Sequence, residues 1–261
     1  MSALEYHYNG SHQSKEIIES HNEQLENLEK IKKILNKSGN KYKIITRKEL
    51  SGALVDDYDL IISAGGDGTV IATAAYNKDK PQLNLKTDKR SKGTLCNNIA
   101  SLEDVMKINY SIEKWTRQDI YLDKELIGRA LNETCIGENL KFSKMARYEM
   151  SFSHNRLFEF PFPEKNEICK NSGLVIVTGT GSTGWPSAFE PFPKNSNTLK
   201  YRAILPYQGK EKGQGSYFKI KYKGHEGKVA IDTVEYPLSR DSLLEVIESS
   251  NPLLAVIPKT K

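Results

Sequence analysis

Cysteine is scarce: the 261 residues include only Cys96, Cys135 and Cys169. That odd count, with no CxxC and no Cys/His spacing, excludes a disulfide framework and a zinc finger and suits a reducing, intracellular compartment. Long apolar runs are missing as well. Nothing approaches the ~20 residues that a membrane-spanning helix requires, so no bilayer crossing is expected. A large excess of one charge is also absent. Lys and Arg number 38 against 33 Asp and Glu, a net charge of +5, too little for a dedicated nucleic-acid binder and better matched to anionic small molecules such as phosphates. Before Lys15 there is no Arg or Lys and Glu5 is acidic, which argues against a signal peptide or a basic transit peptide. There is no internal repeat. What remains is globular composition, with enough length for one large domain or two modest ones.

The first third alternates helix and strand. Ile17, Ile18, His21, Leu25, Leu28, Ile31 and Leu35 recur at steps of three and four, predicting an amphipathic helix with Ser14 as N-cap, Gly39 as stop and His21 as a packing histidine. Tyr42 to Thr46 reads as a short strand. Tyr58 to Ala64 reads as another, its Leu60-Ile61-Ile62 run suited to burial on both faces of a parallel sheet. A helix from about Thr69 to Tyr76, a strand from Gln82 and a helix near 102 to 110, capped by Ser101, complete a doubly wound, Rossmann-like α/β lobe. Beyond Trp115 the pattern is all-β, with strands expected at 120–127, 129–137, 147–153, 174–178, 216–222 and 228–236 and a sandwich as the architecture. Phe189 to Gly215 reads as an irregular connection. The expected division is residues 1–112, 113–240 and a tail, 241–261, returning to the α/β lobe through its Leu243–Ile247 and Leu253–Ile257 runs.

The most informative segment is Ile61-Ile62-Ser63-Ala64-Gly65-Gly66-Asp67-Gly68-Thr69. A buried strand that ends in glycines and opens a helix lets backbone N–H groups approach phosphates and aims a helix N-terminus at negative charge. Asp67 is the one carboxylate inside that turn. It is either a helix cap or a functional acid at the carboxyl edge of the sheet, and the order strand, glycines, acid, helix favours function. Further along, Thr178-Gly179-Thr180-Gly181-Ser182-Thr183-Gly184 follows the apolar run Leu174–Val177. Trp185 and Pro186 stand where a P-loop needs Lys and Ser/Thr, so this is no Walker A motif. Between Lys78 and Lys92 lie six basic and two acidic residues, a run that is usually a solvated loop.

The turn resembles the GGDGT signature shared by NAD kinases, diacylglycerol and sphingosine kinases and, more loosely, phosphofructokinases. Three further matches favour NAD kinases: Asn84 with Arg90-Ser91-Lys92-Gly93-Thr94-Leu95, Leu131-Asn132-Glu133 with Ile136-Gly137-Glu138, and Ser172-Gly173-Leu174 running into the Thr178–Trp185 segment. Together they resemble the branch holding the animal mitochondrial NAD kinase and plant NADH kinase, from the first helix to about Asp232. Ser172, Thr233 and Ala188 depart from residues common in the family.

The resemblance implies ATP-dependent phosphorylation of the 2′-hydroxyl of the adenosine ribose of NAD or NADH. Asp67 would be the base, because a ribose hydroxyl is a poor nucleophile. Gly66, Gly68 and Thr69 would flank the phosphates. Asn132 and Glu133 would hold the ribose and adenine, Trp185 would stack on a base beside Thr183, and Asn84 and Arg90 would belong to the basic loop. The dinucleotide would lie between the lobes, with Mg²⁺ entering on ATP and no protein metal cage. Expected partners are NAD or NADH, ATP or another phosphoryl donor, and a second copy of the chain in a homodimer or larger oligomer. Neither nucleic acid nor membrane is expected, and the compartment implied is the mitochondrial matrix, with the cytoplasm as the alternative. Two rivals stay open: a diacylglycerol or sphingosine kinase, disfavoured because Val70–Tyr76 lacks the acidic and Asn-Gly continuation of those families, and an inactive nucleotide-binding regulatory module.

Overall fold

A computed structural model describes residues 12–138, 144–155, 167–185 and 187–259. The chain divides into two compact units, Met1–Glu113 with Leu254–Lys261, and Lys114–Leu253.

The first unit is α/β. Helix α1 (His12–Ser38) precedes the short α2 (Gly52–Asp56), strand β1 (Ile61–Gly65), α3 (Asp67–Tyr76), β2 (Gln82–Lys86), α4 (Ser101–Met106) and β3 (Tyr110–Trp115). β1 and β2 pair in parallel through the connecting α3, and β16 (Leu253–Pro258), from the end of the chain, lies parallel on the other side of β2. The sheet order is β1-β2-β16-β3. Leu83, Leu85, Leu102, Val105 and Val256 bury against Ile31 and Leu35 of α1.

Several expectations are corrected here. α1 starts at His12, so Ser14 lies inside it, whereas Gly39, at φ +71°, does end it. Only the C-terminal half of α1 contributes to the core: Ile18 and Leu25 are 36% and 49% exposed, and His21 is exposed as well. Tyr42 to Thr46 forms no strand, and Tyr42 and Ile44 face solvent. Ala100, not Ser101, is the N-cap of α4 and makes no side-chain cap bond. That helix ends at Met106, before Ile108 turns to φ 58°.

The second unit is a sandwich of two six-stranded antiparallel sheets. One has the order β11-β10-β9-β6-β13-β14 and the other β5-β4-β15-β12-β7-β8. In chain order these are β4 (Gln118–Leu122), β5 (Glu125–Ala130), β6 (Glu133–Glu138), β7 (Ala146–Ser153), β8 (Ile168–Asn171), β9 (Gly173–Val177), β10 (Leu199–Ile204), β11 (Lys212–Gly215), β12 (Tyr217–Tyr222), β13 (Glu226–Ile231), β14 (Val234–Ser239) and β15 (Leu243–Glu248), with the single-turn α5 (Gly179–Ser182) after β9. Phe218, Ile220 and Tyr222 point into the core, as the period-2 alternation of β12 requires, and meet Tyr148, Leu174, Ile176 and Tyr201. β9 is buried along its whole length. Leu174 and Ile176 face the sandwich core, while Val175 and Val177 form a second cluster with Phe189, flanked by Trp185, Ala188 and Phe192.

Three expected long strands are each two strands with a turn between. The breaks fall at Asp123-Lys124, at Leu131-Asn132 and at Asp232-Thr233. Asp123, Lys124 and Asp232 occupy left-handed backbone at φ 50°, 75° and 50°, so the β4–β5 and β13–β14 hairpins turn without glycine and leave the apolar pattern unpunctuated, whereas at Leu131-Asn132 the chain passes from one sheet of the sandwich to the other. Phe189 to Gly215 is not wholly irregular, since it holds β10 and β11. Leu243–Glu248 does not return with the tail but pairs with β12 and β4 inside the sandwich; only the second apolar run joins the α/β sheet.

Candidate active site

In the first unit, β1 ends in a turn whose glycines each meet a different constraint. A Cβ on Gly65 would lie 2.2 Å from Thr69 Oγ1, and one on Gly66 would lie 2.4 Å from Ser91 Oγ. Gly68 has open space around it and is exposed at the start of α3, leaving its backbone approachable, as a phosphate needs. Thr69 is half-buried over Gly65 and continues the helix, its carbonyl accepting from the Thr73 hydroxyl at 2.9 Å. Gly66 is the N-cap and Asp67 the first helical residue, so Asp67 does not cap the helix with its side chain. Its carboxylate instead accepts the main-chain N–H groups of Thr94 and Leu95 at 3.1 and 2.9 Å, with Cys96 Sγ at 3.8 Å. Asp67 therefore ties the basic loop to the glycine turn.

The other two candidates in this unit are engaged elsewhere. Asn84 is fully buried in β2: its side-chain oxygen accepts from Gln82 at 2.9 Å and its carbonyl from the Asn97 N–H at 2.7 Å. That is a role inside the sheet and not at the mouth of the turn. Arg90 is exposed and pairs with Asp88 at 3.4 Å while donating to the Glu16 carbonyl of α1. Ser20 of α1 donates to the same Asp88, so Arg90 orders the loop against the helix.

In the second unit, Asn132, Glu133 and Trp185 come together. Asn132 is buried, and its Oδ1 and Glu133 Oε2 are shielded from solvent with no hydrogen-bond partner among the described residues. Leaving such groups unmatched costs about 1–3 kcal/mol each, so they point to a ligand. Trp185 is half-buried at the edge of the Val175–Val177–Phe189 cluster and hydrogen-bonds the Glu133 carboxyl. Burial and the nearby Asp232 charge together push Glu133 up to about 7, against which the Trp185 bond acts weakly. Cys135, beside it on β6, is driven by burial to about 12 and is an inert thiol at neutral pH. Thr183 spends its hydroxyl on the Thr180 carbonyl of its own turn at 2.8 Å. Gly181 is needed for close approach, because a Cβ there would sit 2.2 Å from the Asn132 carbonyl oxygen.

One residue absent from the sequence-derived set is central. Asp232, at the tip of the β13–β14 hairpin, accepts the main-chain N–H of Leu131 at 2.7 Å, of Asn132 at 2.9 Å and of Glu133 at 3.1 Å. Burial raises it to about 6 despite those three bonds. An acid between two apolar β runs marks a hairpin tip, but nothing in the sequence ties it to a segment a hundred positions away.

No family model matches the chain. Mitochondrial NAD kinase 2 of Xenopus tropicalis is 29% identical over 233 residues, 68% of this chain and 53% of that protein. A probable NADH kinase of Oryza sativa subsp. japonica is 23% identical over 257 residues, 87% of this chain and 78% of that one. The chain spans about half the length of the mitochondrial relatives it matches. The crystal structure of an NAD kinase from Archaeoglobus fulgidus in complex with ATP shares the fold, with a TM-score of 0.65 at 20% identity over 90% of each chain. The resemblance to NAD kinases, and to the branch with the mitochondrial and plant NADH enzymes, thus holds beyond the motifs that first carried it.

Proposed function

We propose that this chain, a relative of the NAD kinases in sequence and fold, transfers the γ-phosphoryl group of ATP to the 2′-hydroxyl of the adenosine ribose of NAD or NADH. The observation that carries the reading is the pair of buried, unpartnered oxygens on Asn132 and Glu133 beside a half-buried Trp185. An amide, a carboxylate and an aromatic face are what a ribose and its base require.

Asp67 is the base. Its carboxylate has about four lone-pair directions, and two are used by Thr94 and Leu95, which fixes its orientation and leaves others for the ribose hydroxyl. As the ribose oxygen bonds to the γ-phosphorus, its proton passes to Asp67 and the bond to the β,γ-bridging oxygen breaks, releasing ADP. The backbone at Gly68, exposed at the start of α3, would face the transferring phosphates, while the Thr69 N–H is held by the Gly66 carbonyl at 2.9 Å. Mg²⁺ carried in on ATP would supply positive charge to the phosphates during transfer. Likeness to the mitochondrial relatives supports a mitochondrial location, the scarcity of cysteine suits a reducing compartment such as the matrix, and sedimentation of the purified protein reads whether it is the homodimer or larger oligomer expected from the motif resemblance.

The test is an enzymatic cycling assay for NADP(H) after incubation with NAD or NADH and Mg-ATP. Product from either dinucleotide is the expected result. Transfer to diacylglycerol or sphingosine with none to a dinucleotide would sink the assignment, and saturable NAD binding with no transfer at all would make the chain a regulatory module.

A further inference from the structure

We infer that Asp232 is a positioning residue for the dinucleotide, a carboxylate clasp that sets where Asn132 and Glu133 point. This rests on the nucleoside role proposed above for that pair.

Every main-chain polar group of the Leu131–Glu133 segment is engaged. The three N–H groups go to Asp232, and the Glu133 carbonyl accepts the Asp232 N–H at 3.0 Å. Thr178 holds the remaining carbonyls, with its hydroxyl donating to Leu131 at 2.6 Å and its N–H to Asn132 at 2.9 Å. Gly181 closes the other side without a side chain. The backbone is thus held by two hydrogen-bonding residues, and only the side chains of Asn132 and Glu133 are left with unmet capacity.

The choice of an acid is informative. A neutral amide at 232 would offer one acceptor oxygen, whereas the carboxylate offers two: Leu131 bonds one, Asn132 and Glu133 the other. The position also demands a side chain short enough to reach the Leu131–Glu133 amides from φ 50°, a conformation Asp and Asn adopt at lower cost than β-branched residues. Placing this charge beside the Glu133 carboxyl is unfavourable for stability, since it raises the cost of ionising Glu133. A hairpin built only to fold would avoid it. The cost is understandable if what is gained is a fixed segment whose side chains wait for a ligand.

Asp232→Asn is the first variant, with its steady-state parameters read against wild type. KM for NAD should rise about tenfold or more, with kcat at saturation within about threefold, because a loosened segment weakens binding more than phosphoryl transfer once the substrate is seated. KM for ATP should change less than about twofold, since ATP contacts the glycine turn and not this segment. Hydrogen exchange at the Leu131, Asn132 and Glu133 amides should accelerate in the variant while the β12 amides stay protected. If Asp232→Asn lacks a cooperative melt, Asp232→Ser, which keeps one acceptor, must show the same split. A variant that melts cooperatively with NAD and ATP constants both unchanged, or with both altered equally, overturns the proposal. Wild-type protein that neither binds NAD nor makes NADP overturns instead the functional reading beneath it.

Discussion

The glycine turn at Gly65–Thr69 and the Leu131–Glu133 segment solve opposite problems. In the first, the charged side chain is oriented internally: Asp67 accepts two backbone N–H groups of the basic loop, while the backbone at Gly68 is left open. In the second, the backbone is consumed by Asp232 and Thr178, and buried side-chain oxygens of Asn132 and Glu133 are left unmatched. An exposed backbone reads charge without regard to identity, as a phosphate requires. Unmatched side chains read shape and hydrogen-bond pattern, as a nucleoside requires.

The largest effect should come from breaking the first region. Asp67→Asn removes the base, and kcat should fall about 10²–10⁴-fold. Because one face of the new amide would present N–H to a backbone N–H, the variant should also lose about 1–3 kcal/mol of stability. Asn is therefore not a silent replacement even if Asp67 were purely structural, and the readouts must be separated. A variant with a lowered melting temperature and wild-type kcat at saturating NAD and Mg-ATP would leave Asp67 as a loop tie only.

Trp185 sharpens the second region. Its ring and its N–H have separate tasks, so Trp185→Phe should keep most of the stacking while losing the bond to Glu133. Trp185→Ala should weaken NAD binding by about 1–3 kcal/mol, on the scale of base stacking. Calorimetry of both variants distinguishes them, and equal NAD affinity in wild type and Trp185→Ala would assign the residue to the Phe189 cluster alone.

The smallest effect is the dependence on pH. Glu133 sits near 7 instead of its ordinary 4.5 because of burial and the Asp232 charge. A folded pKa above the unfolded one favours the neutral acid in the fold, so its stabilising contribution is complete below pH 4.5 and is lost as pH rises through 7. Binding has the opposite sense, since ribose hydroxyls donate best to the ionised form. NAD affinity should weaken below pH 7 by at most about tenfold per unit, and Glu133→Gln should flatten that limb. A wild-type acid limb identical to that of Glu133→Gln would remove Glu133 from contact with the substrate.

Much of this was legible in sequence where the signal is local. The glycines after β1, the alternation of Phe218, Ile220 and Tyr222, and the apolar run of β9 each express a backbone or burial requirement within a few residues. The turns at Asp123-Lys124 and Asp232-Thr233 were not, because left-handed Asp and Lys supply the reversal that glycine usually marks, and the break at Leu131-Asn132 is a passage between sheets that no local signal announces. Arg90 and Asn84 show the converse: residues in a recognisable motif whose side chains the fold commits to α1 and to the interior of the α/β sheet.

The sequence by itself determined the glycine turn and the succession of α/β and all-β regions, since these follow from short-range sterics and the periodicity of burial. The tertiary structure alone decided which polar groups are satisfied. Asp232 reaches Leu131 across 101 positions and Asp67 reaches Leu95 across 28. Hydrogen bonds of that range have no period in the chain, so which acceptors are satisfied and which are left with unmet capacity is settled only once the fold has closed.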